Sequence, residues 1–306
     1  MTALEAFLAA GVRFSTPILL AALGCLPTRW TRDLNVGLEG AMLFGAFFGV
    51  VTGYAAGSAG VAVLATASLG AALGVAFGAL VTWLRANAFV VGTALNVLAG
   101  GLTVYLLRSW FGVKGAFSSP RIPALAAVEL PGLAHVPLLG PVLSGQSPLT
   151  YAAWLLVGVL AWASRHTVLV RHLKAAGEHP EALRVAGGNV TRARILAQAW
   201  CFTLCALAGL QLSLGQLTLF TEGMTSGLGF VALAVVIFCR GSAALLVAMS
   251  AAFGLASALS VRLDTAVLPP QFAQMLPYLV AFGGLVVLSR RSRVAESRIL
   301  TPTLED

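Results

Sequence analysis

Uninterrupted apolar runs, many of them about twenty residues long, recur along this chain, and nothing else limits its fold so tightly. Hydrophobic residues make up 58% of the 306 positions and charged residues 10%. A soluble domain carries about 25% charged residues. Backbone immersed in hydrocarbon must satisfy its own hydrogen bonds, which leaves helices or closed barrels. Barrel strands alternate apolar and polar positions, whereas these runs are continuous. The expected fold is therefore all-α: a polytopic transmembrane helical bundle, read as one domain over residues 1–306.

Nine spans are expected, at about 14–27, 36–54, 59–84, 88–107, 149–164, 195–217, 228–239, 242–261 and 273–289. The run at 228–239 is short for a ~20-residue crossing, which suggests a broken or re-entrant helix near 219–240. Residues 2–13 read as an amphipathic lead-in, with Leu4, Phe7, Leu8 and Val12 at helical spacing. Two connections are long. One, about 111–148, holds six of the thirteen prolines and should be stiff and partly extended. The other is 165–194. Placing the N-terminus outside and the C-terminus inside puts 14 of the 19 Lys and Arg residues inside, including a basic tail at 290–306. That split obeys the positive-inside bias and sets the expected orientation, with 165–194 cytoplasmic and 111–148 external.

The same bias accounts for the net charge of +8 without a nucleic-acid partner. Cys25, Cys201, Cys205 and Cys239 all fall in apolar runs, so no disulfide framework is expected. Cys201 and Cys205 share a helix face, but no His or carboxylate accompanies them, which favours packing over a metal site. No basic n-region and cleavage site opens the chain, so a removable signal peptide is not expected. Gly70, Gly74 and Gly78 form overlapping GxxxG pairs. They suit close helix packing within the subunit or a dimer seam.

Catalytic signatures are missing. There is no GxxxxGK[ST], HExxH or GxSxG, and His135, His166, His172 and His179 are scattered. An integral membrane enzyme is thereby disfavoured, and no cofactor is expected on this chain. The polar groups in or near the spans are the other candidates. Glu39 lies about one turn inside the second span. A carboxylate there costs a few kcal/mol or more unless it faces protein or water. It either stands near a solute route or is held by a helix N-terminus or by Arg32. Asn35, Asn87, Thr93, Asn96, Gln211 and Gln216 suit an uncharged polar solute, or serve as interhelical hydrogen-bond glue. Glu222 sits in LFTEGMTSGLGF, where Gly223, Gly227 and Gly229 permit a backbone break, or simply in an external turn.

The stretch GEHPEALRVAGGNVTRAR, residues 177–194, is soluble in character inside a membrane-like chain. Pro180 fits a first helical position. Glu178 and Glu181 precede Arg184, as a helix dipole prefers. Ala182, Leu183 and Ala186 give a small apolar face, and Gly187-Gly188 supplies a stop. So short a helix is unstable alone in water, so it must rest on this protein or on a partner.

With these segments in view, the chain is identified as resembling the ABC-transporter permeases for ribose-type sugars, nucleosides and branched-chain amino acids. LNVGLEGAMLFGAFFG, ANAFVVGTALNVLAGGL, GEHPEALRVAGGNVTRARILA and LGQLTLFTEGMTSGLGFVALAVVIF carry the resemblance, in order, between about residues 15 and 290. The nucleoside and simple-sugar branch is the most similar. The resemblance implies a coupling helix that docks on a cytoplasmic ATPase, with Gly177, Glu178, Pro180, Glu181, Ala186 and Gly187 matching the pattern. Gly188 departs from it, since relatives tend to carry a larger residue there. Thr31-Arg32-Asp33 likewise replaces a Ser-Gly-Val-type run. Longer members have an extra N-terminal span, and its absence here agrees with the N-outside reading.

The implied assembly has two permease subunits, typically different chains in this branch, two ATPase domains that bind ATP and Mg, and an external solute-binding protein. This chain would form half of the pathway for a small-molecule solute across the bilayer, lined by Asn35, Glu39, Thr93, Asn96, Gln216 and Glu222. The competing reading is a secondary transporter or channel. That class calls for inverted repeats and intramembrane charges, and only Glu39 is a credible deep carboxylate.

Overall fold

The computed structural model describes residues 2–129, 139–239 and 241–264, with positions 275, 277–279 and 283 beyond them. The expected span at 273–289 therefore falls almost wholly outside the described residues, as does the tail at 290–306.

Helix α1 (Ala3–Trp30) opens on a reciprocal capping box between Thr2 and Glu5. It runs without a break through both the expected lead-in and the first span, so the lead-in is no separate element. Helices α2 (Leu38–Ala56), α3 (Ala59–Thr82) and α4 (Ala88–Phe111) follow. Gly57 and Gly112 end α2 and α4 at φ +62° and +67°, in the left-handed conformation that glycine adopts without strain. The long connection holds strand β1 (Ala116–Ser118) and a short helix α5 (Leu139–Leu143). Helix α6 (Pro148–His166) meets α7 (Val168–Glu178) at a 73° bend. Then come α8 (Pro180–Val185), α9 (Val190–Leu212) with a π-helical turn at Ser213–Leu217, strand β2 (Leu219–Thr221), α10 (Leu228–Cys239) and α11 (Ala243–Asp264).

Six of these helices are long and apolar enough to cross a membrane: α1, α2, α3, α4, α9 with its π turn, and α11. The pair α6–α7 adds a seventh if counted as one span. Helix α10 has 12 residues, about 18 Å at 1.5 Å per residue, too short for a ~30 Å hydrocarbon core.

Helix α9 is the central post, packed against α1, α2 and α3. Small residues set these contacts. A Cβ on Gly45 would lie 2.0 Å from the Ala206 carbonyl oxygen, and one on Gly209 would lie 1.8 Å from that of Met42. Backbone therefore meets backbone where α2 crosses α9. The glycines at 70, 74 and 78 do the same on α3, facing Phe202, Gln198 and Ile195 of α9. The GxxxG stripe thus packs within the subunit and is not a dimer seam. The four cysteines are buried and free.

At the far end, β1 and β2 pair antiparallel with Phe117 opposite Phe220. Phe220 is buried and meets Phe47 of α2 edge-on at 5.1 Å. The outer faces of α3 and α4 are rich in exposed Leu, Val, Phe and Trp, as lipid-facing helices are.

Candidate functional site

The link from α1 to α2 climbs back into the bundle before α2 starts. The Asn35 amide donates to Gln198 Oε1, and Gln198 Nε2 donates to the Asp33 carbonyl at 2.8 Å. Gln198 is the ninth residue of α9, so the link reaches about 12 Å along that helix. Asp33 also forms a 3.1 Å ion pair with Arg194. Burial pushes the Asp33 carboxyl up from its ordinary value, and the Arg194 guanidinium and Thr31 hydroxyl only partly offset this. Asn96 of α4 accepts from the Gly40 N–H at 2.8 Å and donates to the Val36 carbonyl at 2.9 Å. It thereby satisfies one N–H that the first turn of α2 leaves open and one carbonyl of the link that precedes it.

Glu39 stands in this first turn and reaches across to α10. Its Oε1 accepts from the Thr225 hydroxyl at 2.6 Å and the Gly227 N–H at 2.8 Å. Its Oε2 accepts from the Gly229 N–H at 2.8 Å. The carboxylate thus caps the N-terminus of a neighbouring helix, where both free N–H groups and the dipole favour an anion. The partner is α10, not Arg32. The other end of α10 is held by Arg29, whose Nη1 donates to the carbonyls of Val236 and Ile237 at 3.0 and 2.9 Å. A cation at a helix C-terminus completes the match.

The six expected pathway residues do not form one site. Asn35, Glu39 and Asn96 gather around the start of α2. Thr93 lies on the exposed face of α4 and bonds its own helix at the Phe89 carbonyl. Gln216 and Glu222 stand at the opposite end. Gln216 donates to the Arg13 carbonyl, and Glu222 accepts from the Gly115 N–H and pairs with Arg108 at 3.6 Å. The sequence reading missed Thr225 and Gln198. Thr225 stands beside the quoted glycines, but nothing local links it to Glu39, 186 positions away.

The segment 165–194 holds two helices, α7 and α8, where one was expected. Pro180 starts α8, as read. Glu178 is the last residue of α7 and not part of the first turn of α8. Glu181 and Arg184 form an exposed ion pair. The expected apolar face is corrected: Leu183 points inward, 5% exposed, while Ala182 and Ala186 face out with Val185, which is 90% exposed. Leu183 packs with Leu173 and Ala176 of α7 and Val190, Ala193 and Ala197 of α9.

The C-terminus of α8 closes through the Gly188 N–H to the Leu183 carbonyl at 2.8 Å, with Gly187 at φ +80°. A Cβ on Gly188 would lie 2.3 Å from Leu183 Cδ1, so the glycine lets Leu183 fold over the helix end. Gly177 lies against α1, where a Cβ would sit 2.2 Å from the Trp30 carbonyl oxygen.

Comparison with known proteins agrees with this architecture. The family described as the branched-chain amino acid transport system permease component matches residues 7–285. The chain belongs to that family. It is a multi-pass inner-membrane protein, the permease subunit of an ABC importer, and ATP hydrolysis falls to a partner subunit. The guanosine ABC transporter permease of Bacillus subtilis is 27% identical over 284 residues, covering 89% of this chain and 88% of its own. The nucleoside ABC transporter permease of Lactococcus lactis is 29% identical over 276 residues, covering 87% and 86%. A provisionally named glucose ABC transporter permease of Haloferax volcanii is 31% identical over 255 residues, covering 83% and 76%. No solved structure matches the chain at a significant level. Membership implies an ABC ATPase, a binding protein and a solute as partners.

Proposed function

We propose that this permease forms half of a translocation pathway for a nucleoside, with a simple sugar as the second choice, and is driven through α8 by a cytoplasmic ATPase. The solute class is supported by relatives named for guanosine, nucleosides and glucose. The ATPase would hold the ATP and Mg. The second permease would be a different but related chain, and the binding protein would deliver solute from outside.

The observation that carries the coupling role is the build of α8. Leu183 and the Gly187-Gly188 turn fix it from beneath, and Val185, Ala182 and Ala186 are offered outward beside the Glu181–Arg184 pair. An exposed valine on a supported two-turn helix suits a protein groove better than water. The orientation has support as well. Arg29, Arg165, Arg171, Lys174, Arg184, Arg192 and Arg194 belong to the end of the bundle that carries α8, which suits a cytoplasmic face. Nine spans in all, with the segment near 219–240 a broken one, follow if α6 and the residues around 273–289 also cross.

Asn35, Glu39 and Asn96 flank the pathway at depth, where the ends of α2 and α10 meet. Gln216 and Glu222 line its outer approach, whereas the exposed face of α4 that carries Thr93 is turned away from it. ATP must bind one state of the transporter more tightly than the other to shift the equilibrium between outward-open and inward-open forms. The test is Glu181→Arg, alone and with Val185→Asp, in the assembled transporter. The expected result is loss of ATPase co-purification and of solute-stimulated hydrolysis with the fold intact. Normal coupling in the double variant would rule out α8 as the docking element.

A further inference from the structure

A groove runs along α9 beside the α6–α7 elbow, from an apolar cavity to a basic rim. The cavity, ≈ 300 Å³, lies between α1, α6, α7 and α9, and Trp30, Leu160, Ala163 and Trp200 are among its walls. It continues into a second hollow of ≈ 290 Å³ through three shared side chains, Leu169, Leu173 and Leu196. The second hollow is different in character. His172, Asn189 and Arg192 edge it, and among the described residues no carboxylate does. From Arg192 to Trp200 is eight residues of α9, about 12 Å.

Two further observations place this groove at the edge of the bilayer. The 73° bend turns α7 away from the direction of α6. Helix α7 exposes Val168 and Leu169 in its first turn, then Arg171 and His172. It buries Val170, Leu173 and Ala176 against the bundle. An apolar edge followed by basic residues is the pattern of a helix lying in the interface plane. Trp200 in the cavity wall and Trp162, next to the wall residue Ala163, are both exposed, and indole rings prefer the membrane interface.

We propose that this groove binds one anionic phospholipid of the cytoplasmic leaflet. An acyl chain fills the cavity between α6 and α9, and the phosphate sits on Arg192 and His172. The chain supplies both halves of the recognition: apolar walls that match a hydrocarbon tail, and a rim whose described lining carries Arg192 and His172 and no acid. Leu183, Gly187 and Gly188 of α8 also line the rim. The headgroup therefore touches the base of the element assigned to coupling, so the regulatory half of the inference rests on that assignment. A bound lipid would brace α8 against α9, and the binding itself needs no ATPase.

Native mass spectrometry of the full-length permease, released from nanodiscs holding equal phosphatidylglycerol and phosphatidylcholine, tests it. Wild type should retain one phosphatidylglycerol in about tenfold preference, given the pull of surface cations on anionic headgroups. Arg192→Glu should erase the preference. Ala163→Phe, which fills the cavity, should lower retention of both lipids. Arg85→Glu, a charge reversal away from the groove, should behave as wild type, and thermal unfolding checks that each variant is folded. Equal retention of the two lipids by wild type overturns the proposal. So does wild-type behaviour of either folded groove variant, or a groove that holds only detergent or the chain's own residues and so yields no phospholipid mass. Loss of ATPase docking would alter co-purification and leave these masses unchanged, which separates the two assignments.

Discussion

Replacing Glu39 by Gln keeps the side chain's shape and removes its charge, which isolates the capping of α10. Three donors converge on the carboxylate, two on Oε1 and one on Oε2. A hydrogen bond to a charged group contributes about 1.5–3 kcal/mol, and one between neutral groups about half that. An amide oxygen in the Oε1 position would keep two bonds at the weaker level. The amide nitrogen would then face the Gly229 N–H, donor to donor, and leave that group without a partner at a cost of about 1–3 kcal/mol. The sum is a loss of about 2.5–6 kcal/mol. The assay is unfolding of the purified chain in mixed micelles by SDS titration, with hydrogen exchange followed across residues 225–239. The expected result is lower stability and faster exchange in the first turn of α10, while its C-terminal turn, held by Arg29, changes less. Stability within 0.5 kcal/mol of wild type and unchanged exchange would refute the capping argument. If transport were lost at the same time, that result would assign Glu39 to the solute instead.

Two other outcomes follow from contacts already described. Gly209→Ala should cost about 3 kcal/mol, because its new methyl meets the Met42 carbonyl where α2 and α9 touch, while Gly100→Ala, whose methyl enters open space, should stay within about 0.5 kcal/mol of wild type in the same titration. Asp33 has a folded pKa raised above its ordinary 3.8, so its contribution to stability is complete below that value and is lost as pH rises through the raised one. Wild type should therefore lose stability over that window, and Asp33→Asn should flatten the slope.

Much of the bundle was legible because hydrocarbon imposes a simple rule: a continuous apolar run becomes a helix with its own hydrogen bonds satisfied. The ends of α2, α3 and α4 are marked by Gly57, Ser58, Asn87 and Gly112, and they fall close to the expected limits. Helix α7 was missed because its charges mask a short apolar period at Val170, Leu173 and Ala176. The lead-in and first span merged because nothing between Val12 and Phe14 breaks a helix. The candidate site was harder to read. Polar residue types in apolar runs identified Asn35, Glu39 and Asn96, but their partners are fixed by the topology. Gln198, Thr225 and Gly229 lie 163 to 190 positions away from the groups they meet. The inward turn of Leu183 was hidden for the same reason, since it depends on where α7 and α9 come to rest.

The arrangement around α8 also bears on how a push from the ATPase would travel. Helix α8 shares one apolar cluster with α7 and α9, and Trp30 of α1 packs on its edge. Gly177 presses α7 onto the backbone of α1 at Trp30, with no room for a methyl group. A displacement of α8 must then carry α7 and the adjoining ends of α1 and α9 with it, because packed interiors shift as units. Those two ends hold both tethers of the deep site: Arg29 grips the C-terminus of α10, and Gln198 grips Asn35. Proximity alone does not establish coupling, so Gly177→Val is the discriminating change. It leaves the outward face of α8 untouched and forces α7 off α1. If α8 alone docks, as proposed, the ATPase should still co-purify and ATP should still be hydrolysed, because the outward face of α8 is unchanged, but transport per ATP should fall about tenfold or more. If that ratio stays at the wild-type value, the α7–α1 contact is not in the path, and motion must reach α10 through α9 alone.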